Sequence, residues 1–432
     1  MSSKESYDIR KPKTRTFVLY PQVREHLERG IEPSARLEEA KNLALAINLD
    51  IIDAQIIKIR DIKPNTFLGS GTVEELKGLM QHYDIDLVVF DGTLSPVQQR
   101  NLEKAWNVKV IERTALIIEI FGDRARTAEG SLQVELAALS YQKSRLVRSW
   151  THLERQRGGL GFIGGPGETQ LEVDRRLISE RITKIEKELE KVKNRRAIQR
   201  QSRARVPYPI VALVGYTNAG KSSLFNTLTN SDVFAKDLLF ATLDPTMRLM
   251  TLPSGQKVIL SDTVGFISDL PTTLIAAFRS TLEEVLEAEI ILHIQDGSNP
   301  NCLSQSQDVY DVLSSLGIDK ENHTILEVMN KVDLLTPEEK EDCPLRSDLE
   351  TSAVTGAGIE ALRNHVDQIM LNKLSAYSLK IPIGQGKLVN WLHKYGVIKS
   401  KTATDTHWKI KILMSPANHN RYLREVEKLK GE

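Results

Sequence analysis

An apolar run, IVALVG (210–215), passes directly into the loop GYTNAGKS (215–222) and then into the helix-patterned KSSLFNTL. The loop matches G-x-x-x-x-G-K-[ST], and strand, glycine-bounded loop and helix in that order leave few folds open. Glycines let the backbone wrap so that amide groups converge on one point, and the N-terminus of the following helix favours an anion there. The pattern predicts a phosphate cradle made by Gly215, Tyr216, Thr217, Asn218, Ala219 and Gly220. Lys221 would reach the β- and γ-phosphates of a nucleotide, as the first catalytic candidate, and the Ser222 hydroxyl would bind Mg²⁺.

Three more segments follow in a workable order. Asp262, Thr263, Val264 and Gly265 (DTVG) close an apolar strand. Asp262 can hold Mg²⁺ through water, and the Gly265 amide can sense a γ-phosphate, which makes Gly265 a second catalytic candidate. Asn330, Lys331, Val332 and Asp333 (NKVD) close another strand. The Asp333 carboxylate can accept two hydrogen bonds from guanine N1–H and N2–H₂, which adenine cannot supply. The TSA segment (351–353), with Ser352, Ala353 and the adjoining Val354, lies where a backbone N–H can reach guanine O6. Each short motif alone is as often a helix cap or a turn; four in order read as a guanine-nucleotide site with GTP as substrate.

The 432 residues suggest two to four domains. Lys+Arg at 58 against Asp+Glu at 57 excludes a uniformly basic nucleic-acid binder and a long acidic tail, and no DNA partner is expected. Cys302 and Cys343 are too few for a disulfide framework or a four-thiolate zinc site. MSSKESYDIRKPKTR does not read as a signal peptide, and no run approaches the ~18 apolar residues of a membrane span. The expectation is a cytoplasmic monomer, with peripheral membrane contact left open.

The pattern along the chain is α/β. Residues 1–127 alternate helix and strand signals, with helices at RLEEAKNLALAINL and SPVQQRNLEKAW and short strands at AQIIKI and DLVVFDG. Residues 128–206 change texture. Leu132, Leu136, Leu139, Leu146, Trp150 and Leu153 form one seam, and Ile178, Ile182, Ile185, Leu189 and Val192 a second, as in a coiled-coil hairpin. The glycine-rich RQRGGLGFIGGPGETQLE (155–172) separates the two. Residues 207–374 read as a doubly wound, mostly parallel sheet, and 375–432 as a small α+β unit. Residues 141–205 carry 17 basic and 8 acidic side chains, and 191–205 alone carries seven basic and no acidic ones.

The chain resembles the HflX family of translation-factor-class GTPases. The resemblance rests on FATLDPTMR (240–248), on GGLGFIGGPGETQLEVDRR (158–176), which matches the family's inter-helix signature, and on FLGSGTVEEL (67–76). It covers roughly residues 10–375. It implies that Phe240, Ala241, Thr242, Leu243 and Asp244 form switch I, with Thr242 both a Mg²⁺ ligand and a catalytic residue. It also implies binding to the large ribosomal subunit and its rRNA, with the glycine-rich tip reaching the peptidyl-transferase region, and splitting of stalled or idle ribosomes.

Phe266 follows DTVG, where Ras-type GTPases place a glutamine that orients the attacking water. Phenylalanine cannot do this, so slow intrinsic hydrolysis completed by a partner is expected; packing beneath switch II is compatible with that. Asn218 offers a hard oxygen near the phosphates, consistent either with a K⁺ site or with turn propensity. In the glycine-rich tip, Phe162 can stack on a base while Arg155, Arg157, Arg175 and Arg176 neutralise phosphates; a solvent loop is the plainer alternative. Gly69–Gly71 reads best as a strand-to-helix turn. Two other functions stay open at this level: ATP-driven RNA remodelling through the N-terminal domain, and a timer GTPase for a non-ribosomal protein.

Overall fold

The computed structural model describes residues 13–156, 170–203, 208–229, 240, 246–269, 282–345 and 347–431. Its first unit is a four-stranded, all-parallel sheet in the order β2-β1-β3-β4, built from β1 (Arg15–Gln22), β2 (Asp50–Lys58), β3 (Leu87–Phe90) and β4 (Lys109–Glu112). Alternation along β1 sends Phe17 and Leu19 to one face and Val18 to the other, so both faces of this central strand are buried. Helices α1 (Arg24–Glu28) and α2 (Pro33–Ala46) follow β1, α3 (Ser70–His82) follows β2, and α4 (Pro96–Trp106) follows β3. Helix α4 starts where the Ser-Pro pair predicts: Ser95 and Gln98 close a reciprocal capping box, Pro96 takes the first turn, and Asn107 ends the helix in a left-handed conformation. Gly69 caps α3, so the GSG segment is a turn into a helix.

The run VKVIERTALIIEIFG resolves into β4 and α5 (Arg113–Arg124), after which α6 (Ala128–Gln156) and α7 (Gln170–Arg203) form the long hairpin. The leucine seam is less buried than its spacing predicts. Leu132, Leu136 and Leu139 are half-buried, whereas Gln133, Val134 and Ala137 of α6 and Ile185 of α7 are fully buried. The reason is that α6 has two neighbours: its buried stripe packs on α5 and the first unit's core, leaving the seam to a single partner helix. The glycine-rich tip (157–169) and the side chains beyond residue 194 of α7 lie outside the described residues.

The second sheet has the order β10-β9-β8-β5-β7-β6. It contains β5 (Ile210–Gly215), β6 (Thr246–Thr251), β7 (Lys257–Asp262), β8 (Ile290–Asp296), β9 (Ile325–Asn330) and β10 (Leu349–Glu350), parallel except for the edge strand β6. Its helices are α8 (Lys221–Thr229), α9 (Glu283–Leu286), α10 (Cys302–Ser315), α11 (Pro337–Glu341) and α12 (Ile359–Asn372). The chain leaves β5 toward β7 on one side and β8 on the other, so the carboxyl end of β5 is the switch point at which open α/β sheets bind ligands. A third, antiparallel sheet of β11 (Ser375–Pro382), β13 (His407–Met414) and β12 (Val397–Ala403), in that order, carries α13 (Gly386–Tyr395) and α14 (Pro416–Gly431) on one face. Among the described residues no helix is long and apolar enough to cross a membrane.

Candidate functional site

The first four-residue turn after β5 is dictated by close packing. Gly215 has φ +150°, and a Cβ there would lie 2.2 Å from the Ile294 carbonyl oxygen on β8. Gly220 has φ +90°, and a Cβ would lie 2.3 Å from Asn330 Nδ2. Only glycine fits at either place, which is why the loop can lie flat across the sheet edge. Asn218 occupies the left-handed region at φ +61° and is exposed, a conformation asparagine tolerates. Lys221 opens α8 and folds back over the loop, its Nζ donating to the carbonyls of Gly215 (3.1 Å) and Tyr216 (2.8 Å). Burial pulls this ammonium down to about 8, with the Asp262 carboxylate opposing the shift.

Asp262, at the end of β7, is fully buried and accepts a hydrogen bond from the Ser222 hydroxyl at 2.7 Å. Thr263 points inward, its hydroxyl donating to the Leu213 carbonyl at 2.6 Å. Val264 is buried, and the Gly265 Cα lies close enough to the P-loop that a Cβ would be 3.0 Å from Lys221 Nζ. Phe266 pairs with the P-loop through its backbone: Thr217 N–H donates to the Phe266 carbonyl (2.7 Å), and Phe266 N–H to the Gly215 carbonyl (3.1 Å). Its ring is buried in the core.

Asn330, at the end of β9, is a tie. Its Nδ2 donates to the Ala219 carbonyl (2.9 Å), and its Oδ1 accepts from the Ala353 N–H (3.2 Å) and the Thr351 hydroxyl (3.3 Å). P-loop and TSA loop are thereby held in one register. Lys331 is left-handed, with its ammonium 2.7 Å from Asp296 Oδ2. Val332 and Asp333 lie in a short 3-10 turn, with the Asp333 carboxylate exposed. Ser352 is buried, Ala353 partly so, and Val354 is 85% exposed. Since β5, β7, β9 and β10 run parallel, Gly215–Ser222, Asp262–Gly265, Asn330–Asp333 and Ser352–Val354 share one edge of the sheet. Ala241, Thr242, Leu243 and Asp244 lie outside the described residues. The ring of Phe240 is buried against Phe121 of α5 (centroids 4.6 Å apart), so this side chain packs in the core shared with the first unit.

Sequence reasoning missed the contact of the first unit with this loop. The Tyr216 hydroxyl is buried, receives the Ser268 N–H at 2.9 Å, and lies 3.0 Å from Glu39 Oε2 on α2. Arg36 of α2 reaches Ser268 and Asp269, the latter at 2.5 Å, while its Nε donates to Asp91 at 3.0 Å. Arg113 of α5 donates to the other Asp91 oxygen (2.5 Å), to Glu39 and to the Ser268 carbonyl (3.3 Å). Arg36 and Arg113 are 4% and 2% exposed and Asp91 1%, so this is a buried ionic cluster in contact with the segment that follows Gly265. Burial pushes the Asp91 carboxyl up, but the guanidiniums of Arg113 and Arg36 outweigh it and hold its pKa below the usual carboxylate range. Beside it a cleft of about 510 Å³ opens between Glu38, Glu39 and Asn42 of α2 and Thr217, Asn218 and Asp296. A signal was available in sequence: Asp91 follows β3 and Arg113 follows β4, the carboxyl ends of parallel strands, where functional polar groups collect.

Three family models match the chain. "GTP-binding GTPase N-terminal" covers residues 34–122, "GTP-binding GTPase Middle Region" 124–203, and "50S ribosome-binding GTPase" 210–331. The chain is 48% identical over 399 residues to the GTPase HflX of Magnetococcus marinus, covering 91% of each chain. It is 42% identical over 371 residues to the GTPase HflX of Escherichia coli K12, covering 84% of this chain and 86% of that one. Among solved structures it resembles a GTP-binding protein from Sulfolobus solfataricus in complex with GDP, at 22% identity and a TM-score of 0.42, covering 82% of this chain and 98% of that one.

Proposed function

The chain belongs to the HflX family of ribosome-binding GTPases, and from that premise we propose that it binds the large ribosomal subunit in its GTP form, splits stalled or idle ribosomes, and is released by hydrolysis. It acts as a cytoplasmic monomer. The observation that carries this reading is the convergence of four guanine-nucleotide segments on one sheet edge, with Phe266 standing where Ras-type GTPases place the water-orienting glutamine.

The residues divide the work as follows. The backbone amides of Gly215–Ser222 and the α8 N-terminus take the phosphates, and Lys221, drawn from its carbonyl partners, contacts the β- and γ-phosphates. The Ser222 hydroxyl beside Asp262 is a pair of hard oxygens that fits Mg²⁺, with Thr242 as a further ligand. When bound there, Mg²⁺ supplies charge neutralisation at the phosphate oxygens. The Gly265 amide reads the γ-phosphate. Asp333 accepts from the guanine edge, while Asn330 holds the P-loop against the loop of Ser352, Ala353 and Val354. Phe266 leaves the attacking water unoriented because its ring is spent in the core, so intrinsic hydrolysis is slow and the ribosome completes the site. The exposed Asn218 oxygen can hold K⁺ at the phosphates and add charge there.

The test is steady-state GTP hydrolysis in KCl with and without purified large subunits. Strong stimulation supports the reading. Intact GTP binding with no stimulation would leave the nucleotide site standing and remove the ribosome as the activating partner.

A further inference from the structure

The third sheet takes no part in the nucleotide site and lies beyond the family models, the last of which ends at residue 331. It is also positively charged: residues 375–432 hold 11 Lys/Arg against 4 Asp/Glu in a chain whose formal charge is +1. The strands β11, β12 and β13 carry Lys380, Lys399, Lys401, Lys409 and Lys411 and no acid.

Strand alternation separates two faces. Ile381, Ile410, Ile412 and Met414 point into the core beneath α13 and α14, with Leu388, Leu392 and Tyr422. The opposite face is open, and the register defines it row by row. Ser378 and Ser400 flank Lys411, and Lys380 and Thr402 flank Lys409, all of them exposed. Lys380 and Lys409 are thus directly opposite one another, an arrangement that destabilises a sheet through like-charge repulsion. No ion pair with an acid relieves Lys380, Lys409 or Lys411 among the described residues, and the sheet's nearest acid in sequence, Asp405, sits in the turn at its end. These two rows consist of ammonium and hydroxyl groups, so their complement is a dense array of anionic acceptors.

An acidic protein and an RNA backbone both offer that charge, and the composition favours RNA. Protein interfaces are depleted in Lys and Ser and draw their energy from Trp, Tyr and Arg anchors, none of which stands in these two rows. Phosphate contacts come from Lys, Ser and Thr, on surfaces far more positive than protein interfaces. We propose that the open face of the β11-β13-β12 sheet is a docking surface for an RNA phosphate backbone, with Lys380, Lys409 and Lys411 as its contacts. This rests on the ribosome-binding reading only in naming rRNA as the natural source.

The test uses the full chain and a Lys380→Glu/Lys409→Glu/Lys411→Glu variant, with Lys→Arg at the same positions as the charge-keeping control. Binding is measured over a KCl series against two probes, intact large subunits and deproteinised large-subunit RNA. Each phosphate contact contributes about 0.7–0.9 to the slope of log affinity against log salt. The Glu variant is expected to lose about 2–3 from the slope and about 100-fold in affinity at 0.1 M salt on both probes. The Arg variant keeps both, and thermal midpoint and basal GTP hydrolysis stay at the parent values in all. Unchanged slopes on both probes would overturn the proposal. Loss on intact subunits with RNA binding untouched would also overturn it, in favour of an acidic protein. Failure of the parent chain to bind subunits, with lysine-dependent binding to free RNA, would sink the ribosome reading and leave this one standing.

Discussion

Replacing Asp91 by Asn tests the buried cluster where its energy is concentrated. Asp91 is 1% exposed and offers one oxygen to Arg36 Nε (3.0 Å) and the other to Arg113 Nη1 (2.5 Å). Both arginines are buried, so neither can turn to water when the carboxylate is lost. Removing one partner of such a group leaves uncompensated buried charge and costs about 3–5 kcal/mol. Glu39 and Asp269 remain as counterions, which sets the expectation at the lower end, about 3 kcal/mol. Asp269 is the internal control. It also pairs with Arg36, at 2.5 Å, but its side chain is 44% exposed, so Asp269→Asn should cost about 1 kcal/mol or less. The assay is thermal unfolding, with hydrogen exchange on β1 and β3 peptides to assign the transition to the first unit. For a unit of about 110 residues, 1 kcal/mol moves the midpoint by about 4 °C or more, so Asp91→Asn should lower it by more than 10 °C and Asp269→Asn by a few degrees. Equal shifts for the two variants would refute the claim that burial, rather than the ion pairs as such, decides the cost.

The depressed pKa of Asp91 gives the same cluster a pH signature. Its contribution is complete above the unfolded-state value of about 3.9 and is lost as pH falls toward the lower folded value, so exchange protection of β3 should fade below about pH 4, and Asp91→Asn should abolish that dependence. Lys221, held at about 8, regains its proton beside a triphosphate; GTP binding at pH 8.5 should take up a proton, visible as a buffer-dependent heat in calorimetry, and Lys221→Arg should not show it. If Asp333 reads the guanine edge as proposed, Asp333→Asn replaces its charged pair of acceptors by one neutral acceptor and a donor and should weaken GTP binding by about 100-fold or more while leaving the fold intact; an ATP-dependent activity surviving in that variant would revive the N-terminal alternative. Ribosome-stimulated hydrolysis should be faster in KCl than in NaCl at matched ionic strength, and equal rates would remove the K⁺ role of Asn218.

The nucleotide site was legible because its chemistry is written in backbone geometry. Glycines at 215 and 220 are needed wherever a strand, a loop and a neighbouring carbonyl or amide approach this closely, and the strand-ending positions of Asp262 and Asn330 follow from apolar runs of unmistakable period. Strand β1 went unread although it is the centre of its sheet, because RTFVLYPQ carries an arginine and a proline at its ends, and its four-residue apolar middle has no alternation to report. Strand β6 was hidden for the opposite reason: as an antiparallel edge it is half exposed, and Met250 is its one buried residue, too little for an alternating pattern. The arginines of the cluster escaped because a charged residue in an amphipathic helix reads as surface, and only the tertiary partner reveals that Arg36 is interior.

Those partners also explain what kind of joint links the first unit to the nucleotide loop. One part is apolar: Phe121 meets Phe240, and the two units share a continuous hydrophobic core with Val264, Phe266 and Ile267. Such packing is non-directional and accepts small rearrangements. The other part is the ionic cluster, whose fixed donors and acceptors accept one geometry only. Its strength is graded along its length. The Asp91 end is internal to the first unit, dry and expensive to disturb, so Arg36 and Arg113 are presented as fixed groups. The far end is the Ser268–Asp269 segment, three to four residues past Gly265 and open to solvent at Asp269, where breaking a contact costs little. A rigid pair of guanidiniums facing a solvent-open carboxylate means that loss of the Asp269 contact leaves the first unit intact. That is the asymmetry the Asp91 and Asp269 variants measure.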